Sequence, residues 1–268
     1  MPQQDIFVGL QRVTTSEIDF LVRYLIDVSQ QPSTQEGFRK QMNMLNVRRG
    51  HYILDVGCGL GERTFEMAKK VGPFGKVVGT DINNLMISVA SGRYENSDLP
   101  LSFEMAEATR QPFQSEFFDI IRIERVLLYV HQVKEAFQEF SRLLKPGGKL
   151  LVFDLDLDAL SIGHVNRPLT RKIVQFLSDS VPNGRMATEL QSYFAGSSFR
   201  QTSVKAMSYL PNSLEFFKRV IGGTIESGIR KGVLDETEIK EWWSYLDNED
   251  RKGTFWACFN GLIVMGEK

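Results

Sequence analysis

Three glycines, Gly57, Gly59 and Gly61, follow Asp55 in the stretch ILDVGCGLGERT. Glycine at alternate positions forfeits both helix and strand propensity, so such a run marks backbone that something must approach closely. A second acid, Asp81, closes the next apolar run twenty positions after Gly61. At that spacing a carboxylate can take both hydroxyls of a ribose.

The loop is not built for a pyrophosphate. Counting G-x-G-x-x-G from Gly57 puts the third glycine at 62, where Glu62 stands. A carboxylate at a helix N-terminus repels phosphate. No GK[ST] follows, which excludes a P-loop. A nucleoside that carries a positive group and no pyrophosphate satisfies both facts. S-adenosylmethionine is such a ligand: its ammonium and sulfonium can lie over the glycine loop near Asp55, with its ribose at Asp81.

Alternating strands and helices must position these groups. YILDV (52–56) reads as a short apolar strand, and 61–71 as a helix with Phe65, Ala68 and Val71 inward. KVVGTD is a second strand, followed by a helix near 83–95. LSFEMA and FDIIRIE are a third and a fourth strand. Helix 132–144 carries Val133, Phe137, Phe140 and Leu144 on one stripe, stopped by KPGG, and KLLVFDLD is a fifth strand. This βαβα rhythm predicts a Rossmann-like, mostly parallel sheet with helices on both faces. Its switch point, where Asp55 and the glycines lie, is where such sheets bind ligands.

Upstream, 14–28 reads as a helix with a Thr14/Glu17 capping box and an apolar face of Ile18, Leu21, Val22 and Leu25. Pro32 and Ser33 are expected to end it, before a second helix over 34–46. Downstream, 168–180, 185–195, 212–229 and 235–246 read as helices, with Asp235 and Glu238 capping the last. FRQTSVKAMSYL and the C-terminal GTFWACFNGLIVMGEK read as strands. They complete a seven-stranded sheet, the last pair forming a hairpin-like antiparallel edge. The expected organisation is an N-terminal helical cap (1–46), a nucleoside-binding core (47–160), and a C-terminal part (161–268) that completes the sheet and inserts a helical lid before the last strand.

With 268 residues, 42% of them hydrophobic, the chain can bury a sizeable core. A formal net charge of −1 offers no general attraction to phosphate backbones, so no nucleic-acid partner is expected. The two cysteines, Cys58 and Cys258, have no metal-ligand spacing, and three histidines are too scattered for a zinc site, so no metal is expected. A reduced, cytoplasmic setting follows from the cysteine usage. No apolar stretch reaches the length of a membrane span. A monomer or a homodimer is expected.

LDVGCGLGERT, VVGTDIN, FDIIRIERVLLYV and LLKPGGKLLVFD together resemble the successive motifs of class I S-adenosylmethionine-dependent methyltransferases. The likeness is closest to the small-molecule group that includes the ubiquinone and menaquinone biosynthesis type, and it spans about 50–155. The resemblance implies S-adenosylmethionine as cofactor and S-adenosylhomocysteine as product. It implies that Gly57, Cys58, Gly59 and Gly61 pass under the methionine and ribose, that Asp55 orients the amino group, and that Asp81 binds the ribose. Ile82 would touch the adenine, as would Glu107, where the family usually has aspartate, with Ala108 beside it. Glu124 and Arg125 would flank the methionine end.

Each of these residues also has a plainer reading. Cys58 reads as a small packing residue rather than a nucleophile. His131, just past the fourth strand, is either a base for the acceptor or a cap; His164 has the same two readings. Arg125 binds a carboxylate or pairs with a neighbouring acid. Arg185 anchors an anionic substrate or starts a helix. Of Trp242, Trp243, Tyr245, Phe255 and Trp256, core packing is expected for most, with at most two lining an apolar acceptor pocket. The expected activity is in-line methyl transfer to O, N or C of a small, partly apolar molecule. The rivals are a fold that binds the same nucleoside without methylating, a nicotinamide oxidoreductase, against which Glu62 argues, and an RNA or protein methyltransferase.

Overall fold

The computed structural model describes residues 18–268, so the Thr14/Glu17 capping box lies outside the described residues. Two helices, α1 (Ile18–Gln30) and α2 (Pro32–Leu45), precede β1 (Tyr52–Val56). Pro32 opens α2 instead of only ending the segment before it. A missing N–H and a fixed φ suit proline to the first helical turn. Next come α3 (Glu62–Val71), β2 (Lys76–Asp81), α4 (Asn84–Tyr94), β3 (Leu101–Met105) and β4 (Phe118–Glu124). A single 3₁₀ turn, Leu127–Tyr129, leads to α5 (Val133–Leu143) and the long β5 (Leu144–Ile162). The chain continues through α6 (Arg167–Asp179), α7 (Met186–Ala195), β6 (Arg200–Tyr209), α8 (Leu214–Arg230), α9 (Glu236–Arg251) and β7 (Ala257–Glu267).

The seven strands form one sheet in the order β3-β2-β1-β4-β5-β7-β6. Strands β1 to β5 pair in parallel, and β7 runs antiparallel to both β5 and β6. The last pair forms the antiparallel edge that the sequence suggests, with α8 and α9 inserted before the last strand; β7 slots inside and β6 takes the edge. Composition explains this exchange. β7 (ACFNGLIVMGE) buries Ile263 and Val264 completely, as a strand covered on both faces must. β6 (RQTSVKAMSY) is polar over its first half, and its Arg200 and Lys205 suit an edge that must resist further pairing. Gly261 is needed on β7 because a Cβ there would lie 2.3 Å from the Asp154 carbonyl.

The direction of strand addition reverses between β1 and β4, so the carboxyl ends of those two strands frame the crevice. Register then matters chemically: Asp55 of β1 lies opposite Gly79 of β2 on one side and Arg122 of β4 on the other. Helix α2 belongs to the main core, with Phe38, Met42 and Leu45 buried in it. Helix α1 instead builds a second small cluster, Leu21 with Leu60 and Met86, directly over the glycine loop.

Candidate active site

Gly57, Gly59 and Gly61 all adopt left-handed backbone, with φ of 70°, 54° and 80°. Their demands differ. A Cβ on Gly57 would lie 2.1 Å from Val126 Cγ2, and one on Gly61 2.6 Å from the Phe103 ring. The protein's own packing therefore requires those two. At Gly59 the nearest atom would be Leu25 Cδ1 at 3.7 Å, an ordinary contact. Gly59 is the one bare position that the packing does not explain, and it lines the cavity.

The loop is fastened to the end of β2. Gly57 and Cys58 donate their N–H groups to the Thr80 carbonyl at 2.7 and 2.9 Å, and Gly59 N–H donates to Asp81 Oδ2 at 3.0 Å. Asp81 Oδ1 accepts from Asn83 N–H at 2.9 Å. Burial pushes the Asp81 carboxyl above the ordinary aspartate value, against the pull of the Asn83, Gly59 and Ile82 N–H donors. A carboxylate offers about four lone-pair positions, so the three N–H donors leave room for a ribose hydroxyl. The Cys58 thiol packs against Gly79. Burial, with Asp81 and Asp55 nearby, pushes it well above the ordinary thiol value, which leaves it inert.

Beyond the end of β2, Ile82 is 44% exposed and lines the cavity with Ala106 and Ala108. Glu107 does not join them. It is exposed, and its carboxylate accepts from Thr109 Oγ1 at 3.4 Å. The expected Glu107–Ala108 pair is split by the bridge between Glu107 and Arg110, which turns successive side chains to opposite sides.

The floor of the cavity is a charged network that rests on Arg122, a residue absent from the expected site. The Arg122 side chain is 4% exposed. It donates to Asp55 Oδ1 at 2.7 Å, to Gln41 Oε1 at 2.8 Å and to Glu124 Oε2. Thr64 Oγ1 occupies the other Asp55 oxygen at 2.8 Å, and Gln41 Nε2 donates to Glu124 Oε2 at 3.0 Å. Arg125, left-handed at φ 56°, pairs with Glu124 Oε1 at 3.4 Å. Burial alone would raise the Glu124 carboxyl, but Arg122 and Arg125 outweigh it and hold the carboxyl below its ordinary value. With both oxygens bonded, Asp55 braces the floor rather than presenting a free charge, which modifies the amino-group role that the resemblance implies. The signal for Arg122 is a lone cation amid the apolar residues of FDIIRIE. Gln41, on an amphipathic helix, has none.

Asp55, Arg122, Glu124 and Arg125 line, with the glycine loop, a cavity of about 280 Å³. It runs from the loop to an apolar and aromatic far end formed by Tyr24, Tyr129, Val130, Tyr209, Phe216 and Phe259. The Tyr209 hydroxyl is buried with no hydrogen-bond partner among the described residues. Helix α1 roofs the cavity and is pinned by Asp27–Arg219 at 2.6 Å and by Arg63 Nη2 donating to the Ser29 carbonyl at 3.1 Å.

Several expected residues lie elsewhere. His131 is exposed at the entry to α5 and does not line the cavity. His164 stacks on Trp242, ring centroids 5.3 Å apart. Trp242 is buried, its Nε1 donating to Thr170 Oγ1 at 2.9 Å. None of Trp242, Trp243, Tyr245, Phe255 and Trp256 lines the cavity; its aromatic wall comes instead from α1, the 3₁₀ turn, β6, α8 and β7. Arg185 is exposed and lies 3.6 Å from Asp158.

Residues 48–213 match the family model described as a methyltransferase domain. The chain is similar to the ubiquinone/menaquinone biosynthesis C-methyltransferase of Azotobacter vinelandii, 29% identical over 189 residues that cover 63% of this chain and 74% of that one. It is 34% identical to the demethylmenaquinone methyltransferase of Lactobacillus johnsonii over 45% of this chain and 51% of that one, so it spans only about half of that relative's length. Among solved structures, phosphoethanolamine N-methyltransferase 2 of Haemonchus contortus, in complex with S-adenosyl-L-methionine, superposes with a TM-score of 0.60 at 17% identity, over 98% of this chain and 59% of that one. The glycine loop, Asp81 and the matched family model agree: this chain belongs to the methyltransferase-domain family and is an S-adenosylmethionine-dependent methyltransferase.

Proposed function

We propose that this methyltransferase acts on a small, partly apolar molecule held in the far end of the cavity, at an O, N or C atom. The observation that carries this reading is the continuity of one cavity from the bare Gly59 to the aromatic wall of Tyr24, Tyr129, Tyr209 and Phe216. The residues present fit the cofactor: a side-chain-free Gly59 on the cavity wall, an acceptor carboxylate at Asp81, and an apolar shelf of Ile82, Ala106 and Ala108. When bound, S-adenosylmethionine supplies an activated methyl on a sulfonium. The protein's part is then orientation and exclusion of water. Asp81 holds the ribose, Gly59 leaves room above the loop, and Glu124 and Arg125 receive the amino-acid end. Helix α1 closes the cavity from above, so it must yield for exchange of cofactor and product. No proton transfer is assigned to His131, which faces away.

The test is transfer of labelled methyl from S-adenosylmethionine to a cell extract separated by size. Label is expected in the small-molecule fraction, in species retained on an apolar phase. Label confined to RNA or protein overturns the reading, and an absence of transfer despite tight cofactor binding favours a non-methylating role. Gly59→Ala should leave the fold intact, since the αL penalty is about 1–2 kcal/mol and no protein atom clashes. It should weaken S-adenosylhomocysteine by about tenfold, roughly 1.4 kcal/mol. Thermal denaturation and titration calorimetry check the two halves.

A further inference from the structure

The 3₁₀ turn Leu127–Tyr129 is the piece of chain that carries β4 into the cavity wall, and it is too short to hold its own shape. Val126, Leu128, Tyr129 and Val130 all line the cavity, and Val126 packs on Gly57. One residue from the C-terminal part closes both ends of this turn. Asn183 Nδ2 donates to the Leu127 carbonyl at 2.8 Å and to the Val130 carbonyl at 2.7 Å, while Asn183 N–H donates to the Leu128 carbonyl at 3.0 Å. Asparagine suits this position because its amide carries two donors on one nitrogen. From the other side, Asp154 Oδ2 accepts Leu128 N–H at 3.2 Å.

Asn183 is itself fixed. It sits between α6 and α7, followed by Gly184, whose carbonyl accepts Leu157 N–H at 2.7 Å. A Cβ on Gly184 would lie 2.3 Å from the Ser178 carbonyl, so the peptide that carries the clip has one place to go. The turn follows Glu124 and Arg125 directly, on the side of the loop away from Asp81 and Ile82.

We propose that Asn183 is a positioning residue that sets the amino-acid end of the cofactor site through the Leu127–Tyr129 turn, and so ties the segment before α7 to the methyl donor. This rests on the cofactor placement given above. The test uses the full chain and two probes, S-adenosylhomocysteine and 5′-methylthioadenosine, which keeps the nucleoside and lacks the amino acid. The wild type binds both. Asn183→Ala should weaken S-adenosylhomocysteine by about tenfold and 5′-methylthioadenosine by less than about twofold, a ratio that general loosening does not produce. Asn183→Ser retains one donor and should shift the ratio in the same direction by less, about threefold; it carries the test if the alanine variant does not fold. Equal losses for both probes, or no change in either, overturn the proposal. A wild type that binds neither probe overturns the cofactor placement instead.

Discussion

Arg122→Ala should lower the unfolding free energy by about 3–5 kcal/mol, the range for removing one partner of a buried ion pair. The reason is what the substitution leaves behind. Asp55 is 1% exposed and the Glu124 side chain 7% exposed, and each takes a charged hydrogen bond from the same guanidinium. Without it, both carboxylates stay buried, and only Thr64, Gln41 and the more distant Arg125 remain to satisfy them. Lysine should recover little, since one ammonium cannot span Asp55, Gln41 and Glu124 as a planar fork does. The network also sets an acid limit. Glu124 titrates below its unfolded value, so its contribution is present above the ordinary glutamate range and fades as pH falls through the lowered value. Denaturant titration of the variant with an unchanged m-value reads the loss. A loss under about 1 kcal/mol, typical of exposed pairs, would mean that water reaches the network.

Asp81→Asn should weaken S-adenosylhomocysteine by about 1.5–3 kcal/mol, the range for hydrogen bonds to a charged group, or about ten- to a hundredfold and above. Two effects add. The ribose loses an ionised acceptor, and Gly59 N–H, now 3.0 Å from Asp81 Oδ2, meets either a weaker acceptor or an amide donor. The same carboxyl predicts a pH dependence. Burial raises its pKa, so the folded protein favours the protonated form more than the unfolded chain does. Ribose binding needs the ionised form, so affinity should begin to fall on acidification at a higher pH than an ordinary aspartate would give. The asparagine variant should lose that dependence. Calorimetry across pH checks both, and a variant that keeps full affinity would put the ribose elsewhere.

The parts of the site that local chain geometry determines are legible in the sequence. Gly57, Gly59, Gly61 and Asp81 stand at strand ends, where their spacing and the βαβ rhythm fix where they arrive. The parts made by distant contacts are not. Arg122 meets Asp55 only through the β1–β4 register, and Gln41 joins them from a helix whose pattern reads as plain amphipathic. Core packing is the main expectation for the aromatics of α9 and the residues after it, with at most two in the pocket wall, and Trp242 is buried in the core. The wall is built by Tyr24, Tyr209 and Phe216, and the C-terminal helices fold their large rings inward onto α6 and the sheet. Nothing local to Trp242 distinguishes those outcomes. His131 likewise follows the right strand, yet faces solvent at the start of α5. The last two strands are joined through α8 and α9, and of these α8 adds Phe216 and Val220 to the cavity lining.

We propose that a sulfonium nucleoside lies over Gly59 and is held by Asp81. Titration calorimetry of the purified chain with S-adenosylhomocysteine and with NAD tests it most directly. One-to-one heat with S-adenosylhomocysteine, weakened about ten- to a hundredfold by Asp81→Asn and absent with NAD, is the predicted result. Tight binding of NAD with no heat from S-adenosylhomocysteine would contradict it.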